Sequence, residues 1–297
     1  MFKPLKKNAF TILELLVVIV LLGLLAAVLV IGIKSSIDQG KLANIASYGS
    51  TLYRSLSDSA IALWDMDEGS GNDIYDKSNN GYNIIDSAGI DSGFITWSDE
   101  SAYRESGGGT SRKSLSFINS GSNNLVSNKS LPGCDRFTII AWVKWNKNYI
   151  GSAGTIFSRS SSNAMADPGD ILFSKRSTDV IRIDIRGPVT TYLLQGTTNI
   201  NDGKWHLIAA VYDGSSFKLY VDAKLDPNST YVPPIAGILK PATPNNNLPR
   251  IGNYGASIND RWKGWIDEMH LYSDSFSQAE IQKLYAKGLN YHLFVNK

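Results

Sequence analysis

The chain has 297 residues, with 29 Lys and Arg against 27 Asp and Glu, a formal net charge of +2 at pH 7. That length allows one large domain or two, and that balance excludes a protein that holds nucleic acid by charge alone. Cys134 is the single cysteine, which excludes an internal disulfide and a cysteine-cluster metal site. Charged residues make up only 19% of a chain with 26 Gly, 14 Tyr and 7 Trp. Few charges with many glycines and aromatics favour a mainly β extracellular domain over a helical cytosolic enzyme.

The basic excess lies at the N-terminus, where Lys3, Lys6, Lys7, Lys34 and Lys41 face only Glu14 and Asp38. Residues 15–33 carry no charge. As a helix they span ~28 Å, close to the ~30 Å hydrocarbon core of a bilayer. A secretory signal has a shorter apolar stretch that ends at a small-residue cleavage site. Here Ala26 and Ala27 are followed by more Val, Leu and Ile, so a membrane anchor fits better. The lysine bias puts residues 1–9 in the cytoplasm and the chain after Lys34 outside. Glu14 breaks the pattern, because a carboxylate deep in lipid costs about 2.5–3.5 kcal/mol and calls for a partner.

The stretch Lys6-Lys7-Asn8-Ala9-Phe10-Thr11-Ile12-Leu13-Glu14-Leu15-Leu16 resembles the leader and mature start of type IV pilins and pseudopilins. The resemblance implies cleavage between Ala9 and Phe10 by a prepilin peptidase, N-methylation of Phe10, and insertion in membrane lipid. It also implies that Glu14 pairs with the Phe10 ammonium of a neighbouring pilin-like subunit. Such a pair lowers the burial cost of both charges and fixes axial register. Ala9 stands where the family most often has glycine. Beyond the apolar run, Ile37, Leu42, Ile45, Ala46, Leu52, Tyr53 and Leu56 recur at helical spacing. A leader over 1–9 and a helix over 10–58 follow. No proline interrupts that helix, as in a straighter, pseudopilin-like subtype.

From Ala60 the period changes. Phe137–Trp145, residues 179–185, 204–212, 217–221 and 265–272 read as strands. Asp213-Gly214-Ser215-Ser216 marks a hairpin between two of them. Glycine- and asparagine-rich turns separate the rest, which predicts a sandwich or jelly roll. A last helix has Ser277 as N-cap, Glu280 as its reciprocal partner, Ile281, Leu284 and Tyr285 as its buried stripe, and Gly288 as its stop.

Ala62-Leu63-Trp64-Asp65-Met66-Asp67-Glu68-Gly69-Ser70-Gly71 and Ile74-Tyr75-Asp76-Lys77-Ser78-Asn79-Asn80-Gly81-Tyr82-Asn83 resemble the opening of laminin-G-like, concanavalin A-like jelly rolls. Asp202-Gly203-Lys204-Trp205-His206, Lys218-Leu219-Tyr220-Val221-Asp222 and Gly264-Trp265-Ile266-Asp267-Glu268 resemble later strands of the same family. The resemblance implies a mainly β chain: an N-terminal transmembrane helix, a jelly roll over 59–290 with a short helix, and a tail over 291–297. It also implies calcium between an early acidic turn and the late Ile-Asp-Glu strand, on Asp76 and Asp267 with Asn80 or Asn83. The alternative for these residues is an Asx turn and a surface carboxylate.

Other chemistry is thin. Asp65 and Asp67 share one face of a strand and superficially match the paired carboxylates of jelly-roll glucanases, but they open the domain and a Gly-Ser-Gly turn follows. His206, His270 and His292 lack zinc spacing, and there is no nucleophile elbow or phosphate loop. Trp97, Trp145 and Trp262 are candidates for stacking on sugars or for the core. The expected protein is non-enzymatic, pilin-like and held in the cytoplasmic membrane. Its outer domain is displayed, at the membrane or within a pilus, for adhesion or for binding a glycan or another surface ligand, with no nucleic-acid partner. A membrane-tethered glycan-active enzyme and a minor pseudopilin of a secretion system are the alternatives.

Overall fold

The computed structural model describes residues 56, 58–86, 90, 94–102, 112–117, 125–150, 152–160, 165, 167–187, 189–231, 248–254 and 260–293. The chain divides into two compact units, Met1–Ser55 and Leu56–Lys297. The predicted leader and apolar helix lie outside the described residues, as do Ala9, Phe10 and Glu14. No described helix is long and apolar enough to cross a membrane.

The second unit opens with β1 (Ala60–Trp64), β2 (Asp73–Ile74), β3 (Ile84–Asp86), β4 (Ile95–Ser98), β5 (Ser114–Phe117) and β6 (Leu125–Ser127). The longer β7 (Phe137–Trp145), β8 (Gly154–Arg159), β9 (Ile171–Lys175), β10 (Val180–Arg186) and β11 (Thr191–Asn199) follow. It closes with β12 (Trp205–Tyr212), β13 (Phe217–Val221), β14 (Lys224–Tyr231), β15 (Pro249–Ile251), β16 (Gly264–Tyr272) and the helix α1 (Gln278–Leu293). Two eight-stranded sheets result: β14-β13-β12-β7-β16-β5-β4 with β1 beside β16, and β11-β10-β9-β8-β15-β6-β3-β2. All strand pairs named here are antiparallel, as in a jelly roll.

Alternation on the pleat builds the core. Ile139, Ala141, Val143 and Trp145 of β7 point into one cluster with Phe157 of β8, Phe173 of β9, and Ile181 and Ile183 of β10. Trp145 and Trp262 are fully buried there, edge to face at 4.9 Å, which assigns both to packing. Trp97 is only partly buried and donates from Nε1 to the Gly71 carbonyl at 3.0 Å.

The first sheet has a second apolar layer on its other face. Ile140 and Trp142 of β7, Leu207 and Ala209 of β12 and Tyr220 of β13 are buried there. Helix α1 covers this face, with Ile281 buried and Tyr285 stacked on Trp142 at 5.6 Å. Its start is a capping box: Glu280 N–H donates to Ser277 Oγ at 3.3 Å, and Ser277 N–H donates to Glu280 Oε2 at 2.7 Å. Gly288 does not stop the helix, which runs on to Leu293, three residues past the predicted domain end. A helical glycine costs only about 1 kcal/mol relative to Ala, which the packed turns before it outweigh.

Candidate functional site

The residues expected to hold calcium have different surroundings. Asp76 bridges to Trp64 of β1 and accepts four hydrogen bonds. Its Oδ1 takes the N–H groups of Leu63 at 3.0 Å and Ser78 at 2.8 Å. Its Oδ2 takes Ser78 Oγ at 2.8 Å and the Tyr82 N–H at 2.9 Å. This is an Asx turn that also pins β1, and a cation here must displace N–H donors. Asn80 donates from Nδ2 to the carbonyls of Ala60 at 2.9 Å and Ile61 at 3.1 Å.

Asp267 lies on β16, 2% exposed, and accepts the Ala102 N–H at 2.8 Å. Burial raises its carboxyl well above the usual range, and the nearby negative charges of Glu268 and Asp67 add to this. Arg112 pairs with both Glu268 at 3.0 Å and Asp67 at 3.5 Å. Among the described residues, no group of three or more His, Cys, Asp or Glu is arranged to hold a metal ion. The other opening carboxylate, Asp65, follows the end of β1 and receives His270 Nε2 at 3.0 Å. Burial raises the Asp65 carboxyl, but the His270 hydrogen bond and charge outweigh it and leave its pKa lowered.

A more extended polar surface lies on the second sheet. One register row crosses all eight of its strands: Asp73, Ile85, Val126, Arg250, Ser158, Leu172, Asp184 and Leu193. Directly opposed residues point to the same side, and the core-facing residues Ile84, Phe157, Phe173, Ile183 and Leu194 alternate with this row. The row therefore lies on the face turned away from the core, and at its centre Ser158 Oγ donates to the carbonyl of Asn253 at 2.8 Å. At ~4.8 Å per strand it spans about 34 Å.

Burial grades along this row. Leu193 is 50% exposed at one end and Ile85 43% near the other, while Ser158 and Asp184 in the middle are buried. The buried centre is charged. Arg182 donates from Nε to Asp184 Oδ1 at 2.8 Å, and its Nη2 reaches the same oxygen. Asp184 Oδ2 has no hydrogen-bond partner among the described residues, and neither do the buried Ser174 Oγ, Thr155 Oγ1 and Arg186 Nε. Burial raises the Asp184 carboxyl despite Arg182. Arg250 is half-buried and donates to the carbonyl of Ser160 at 2.9 Å. This face is not legible in the sequence, because its residues come from eight strands scattered between 73 and 250. One signal is present: Arg182 and Asp184 alternate with isoleucines along the predicted strand over 179–185, and Arg186 follows it in the same register.

A family model described as the Concanavalin A-like lectin/glucanases superfamily, Laminin_G_3, matches residues 119–282. A model of the prokaryotic N-terminal methylation motif matches residues 5–30. Among solved structures, the binding domain of Paraclostridial Mosquitocidal Protein 1 is 15% identical with a TM-score of 0.57, over 79% of this chain and 53% of that one. The receptor-binding domain of botulinum neurotoxin type G is 17% identical with a TM-score of 0.53, over 77% of this chain and 51% of that one. The binding domain of botulinum neurotoxin serotype D is 13% identical with a TM-score of 0.51, over 80% and 52%. At these identities the likeness is one of fold, and the chain spans about half the length of the solved structures it matches. No curated protein matches the sequence. The sandwich and the family match agree, and the chain belongs to the concanavalin A-like lectin/glucanase superfamily, with a prokaryotic N-methylation motif at its N-terminal end.

Proposed function

We propose that this chain is a non-enzymatic, pilin-like surface protein whose sandwich binds carbohydrate outside the cell. One observation carries the reading: an N-methylation motif and a lectin-like domain occur in one chain. The similar solved structures are titled binding or receptor-binding domains, which supports a binding role. In this reading prepilin peptidase removes residues 1–9, Phe10 becomes the methylated N-terminus, and the helix over 10–58 holds the protein in the membrane. Glu14 then pairs with the Phe10 amine of a neighbouring subunit. The domain from residue 59 is displayed for adhesion.

Two measurements test this. Intact mass and N-terminal sequencing of membrane-extracted protein should give a chain that begins at methylated Phe10. An intact Met1, or cleavage after Ala27, overturns the pilin-like assignment. The full-length protein in detergent, passed over immobilised glycans, should be retained without altering them. Release of sugar fragments favours the tethered enzyme instead.

A further inference from the structure

We propose that the outward face of the second sheet is a binding site for an acidic glycan, a sugar chain that bears carboxylate or sulfate groups. This deepens the carbohydrate reading above and rests on it.

The shape of the face selects a chain-like occupant. The row from Asp73 to Leu193 is continuous over eight strands, so a polymer lying across the strands meets one equivalent position after another. Charge selects its sign. The arginines of this face, Arg182, Arg186 and Arg250, are all partly exposed, whereas Asp184 beside them is buried. From β15 to β10 a ligand therefore meets guanidinium first, and the partly exposed Asp73 lies apart, on the edge strand β2. Arg182 and Arg186 are four residues apart on one strand, about 13 Å, and Arg250 is three strands from Asp184, about 14 Å. Cations that far apart suit anionic groups repeated along a polymer better than one small anion. Guanidinium matches carboxylate and sulfate with paired hydrogen bonds.

The atoms beneath the arginines point to hydroxyls. The Asp184 side chain is 4% exposed, and its Oδ2 has no hydrogen-bond partner among the described residues. The same holds for Ser174 Oγ on the neighbouring strand and for Arg186 Nε. A buried polar atom without a partner costs about 1–3 kcal/mol. When the arginine side chains swing onto an anionic group, sugar hydroxyls gain access to that acceptor and those donors. Leu172 and the exposed Leu193 offer apolar contact beside them for the carbon face of a sugar ring. Trp145 and Trp262, the stacking candidates, are inside the core and do not contribute.

The test uses the full-length protein in detergent with four probes: dextran, polygalacturonate, dextran sulfate and polyglutamate. The expected result is binding of polygalacturonate or dextran sulfate that exceeds dextran and polyglutamate and weakens with added salt. Arg186→Gln and Arg250→Gln should each lower it about tenfold or more, the loss of one charge-assisted hydrogen bond. Lys204→Gln removes the same charge from the β11–β12 loop and should leave it within about twofold, as an exposed charge off the face. Unchanged melting temperatures would show that the arginine variants fold. Binding of dextran alone, or acidic-glycan binding that both arginine variants keep, overturns this site and leaves the carbohydrate reading standing. Equal binding of polyglutamate reduces the face to a charged surface and overturns it too. No binding to any probe overturns both.

Discussion

A Cβ added to Gly196 would lie 2.5 Å from Oδ2 of Asp226. Gly196 is on β11, the edge of one sheet, and Asp226 on β14, the edge of the other. The Asp226 carboxylate is 1% exposed and accepts the N–H groups of Thr197 at 2.7 Å and Thr198 at 3.0 Å. It thus occupies edge amides that another strand could otherwise take, and closes the seam between the sheets.

Gly196→Ala should therefore destabilise the domain by about 2–3 kcal/mol through overpacking. Asp226→Ala should cost about 3 kcal/mol, because the two edge amides lose their acceptor and Thr197 Oγ1 keeps only the Pro227 carbonyl. Denaturation midpoints check both. If Gly196→Ala is neutral, β11 yields to the methyl group and the seam is looser than described.

Asp76→Ala should cost about 3 kcal/mol or more, since its carboxylate gathers four donors from β1 and its own turn. The loss should be the same in calcium and in chelator. A wild-type melting temperature that rises with calcium, and no longer does so in Asp76→Ala, would place a cation on this turn.

His206 has a carboxylate on each ring nitrogen: Asp222 on Nδ1 at 2.9 Å and Asp202 on Nε2 at 3.0 Å. Burial lowers its pKa, but the hydrogen bonds and charges of Asp222 and Asp202 outweigh this and leave it above 6.5. Only the imidazolium donates from both nitrogens. The folded state holds this proton more tightly than the unfolded chain does. Its stabilisation is therefore complete below pH 6.5 and fades as pH rises through the raised value. Melting temperatures from pH 6 to 9 should show the decline, and His206→Gln should flatten it. A wild-type profile without that slope rejects the doubly bonded imidazolium.

Asp267 produces a slope of the same sign. Its carboxyl is raised, so the folded protein binds the proton above the usual carboxylate range and loses stability as pH rises through that window. Asp267→Asn keeps the shape and removes the buried charge, and should raise stability at pH 7 by about 1 kcal/mol. A destabilised variant would show that the ionised form is needed, as a cation ligand is.

The fold is legible where apolar, β-branched and aromatic runs are long, even when both faces are buried. Phe137–Trp145 was read as a strand from end to end, and the Ser277–Glu280 box from its spacing alone. Short strands such as Asp73–Ile74 and Pro249–Ile251 carry too few residues to show a period. Asp76 was singled out correctly as an early turn residue, but a single sequence could not show that backbone donors already fill its carboxylate. Arg250 joins Ser158 and Asp184 only through pairing across β15, β8, β9 and β10, a relationship that no local pattern encodes.

The stack of Tyr285 on Trp142 gives the domain a back and a front. On the back, Ile140, Trp142, Leu207, Ala209 and Tyr220 are buried, and substitutions there endanger folding. On the front, Arg182 and Arg250 are partly exposed and Leu193 is exposed, while the core beneath them is built by the alternate residues. Specificity can therefore be rewritten on one side of each strand while the other side keeps the fold.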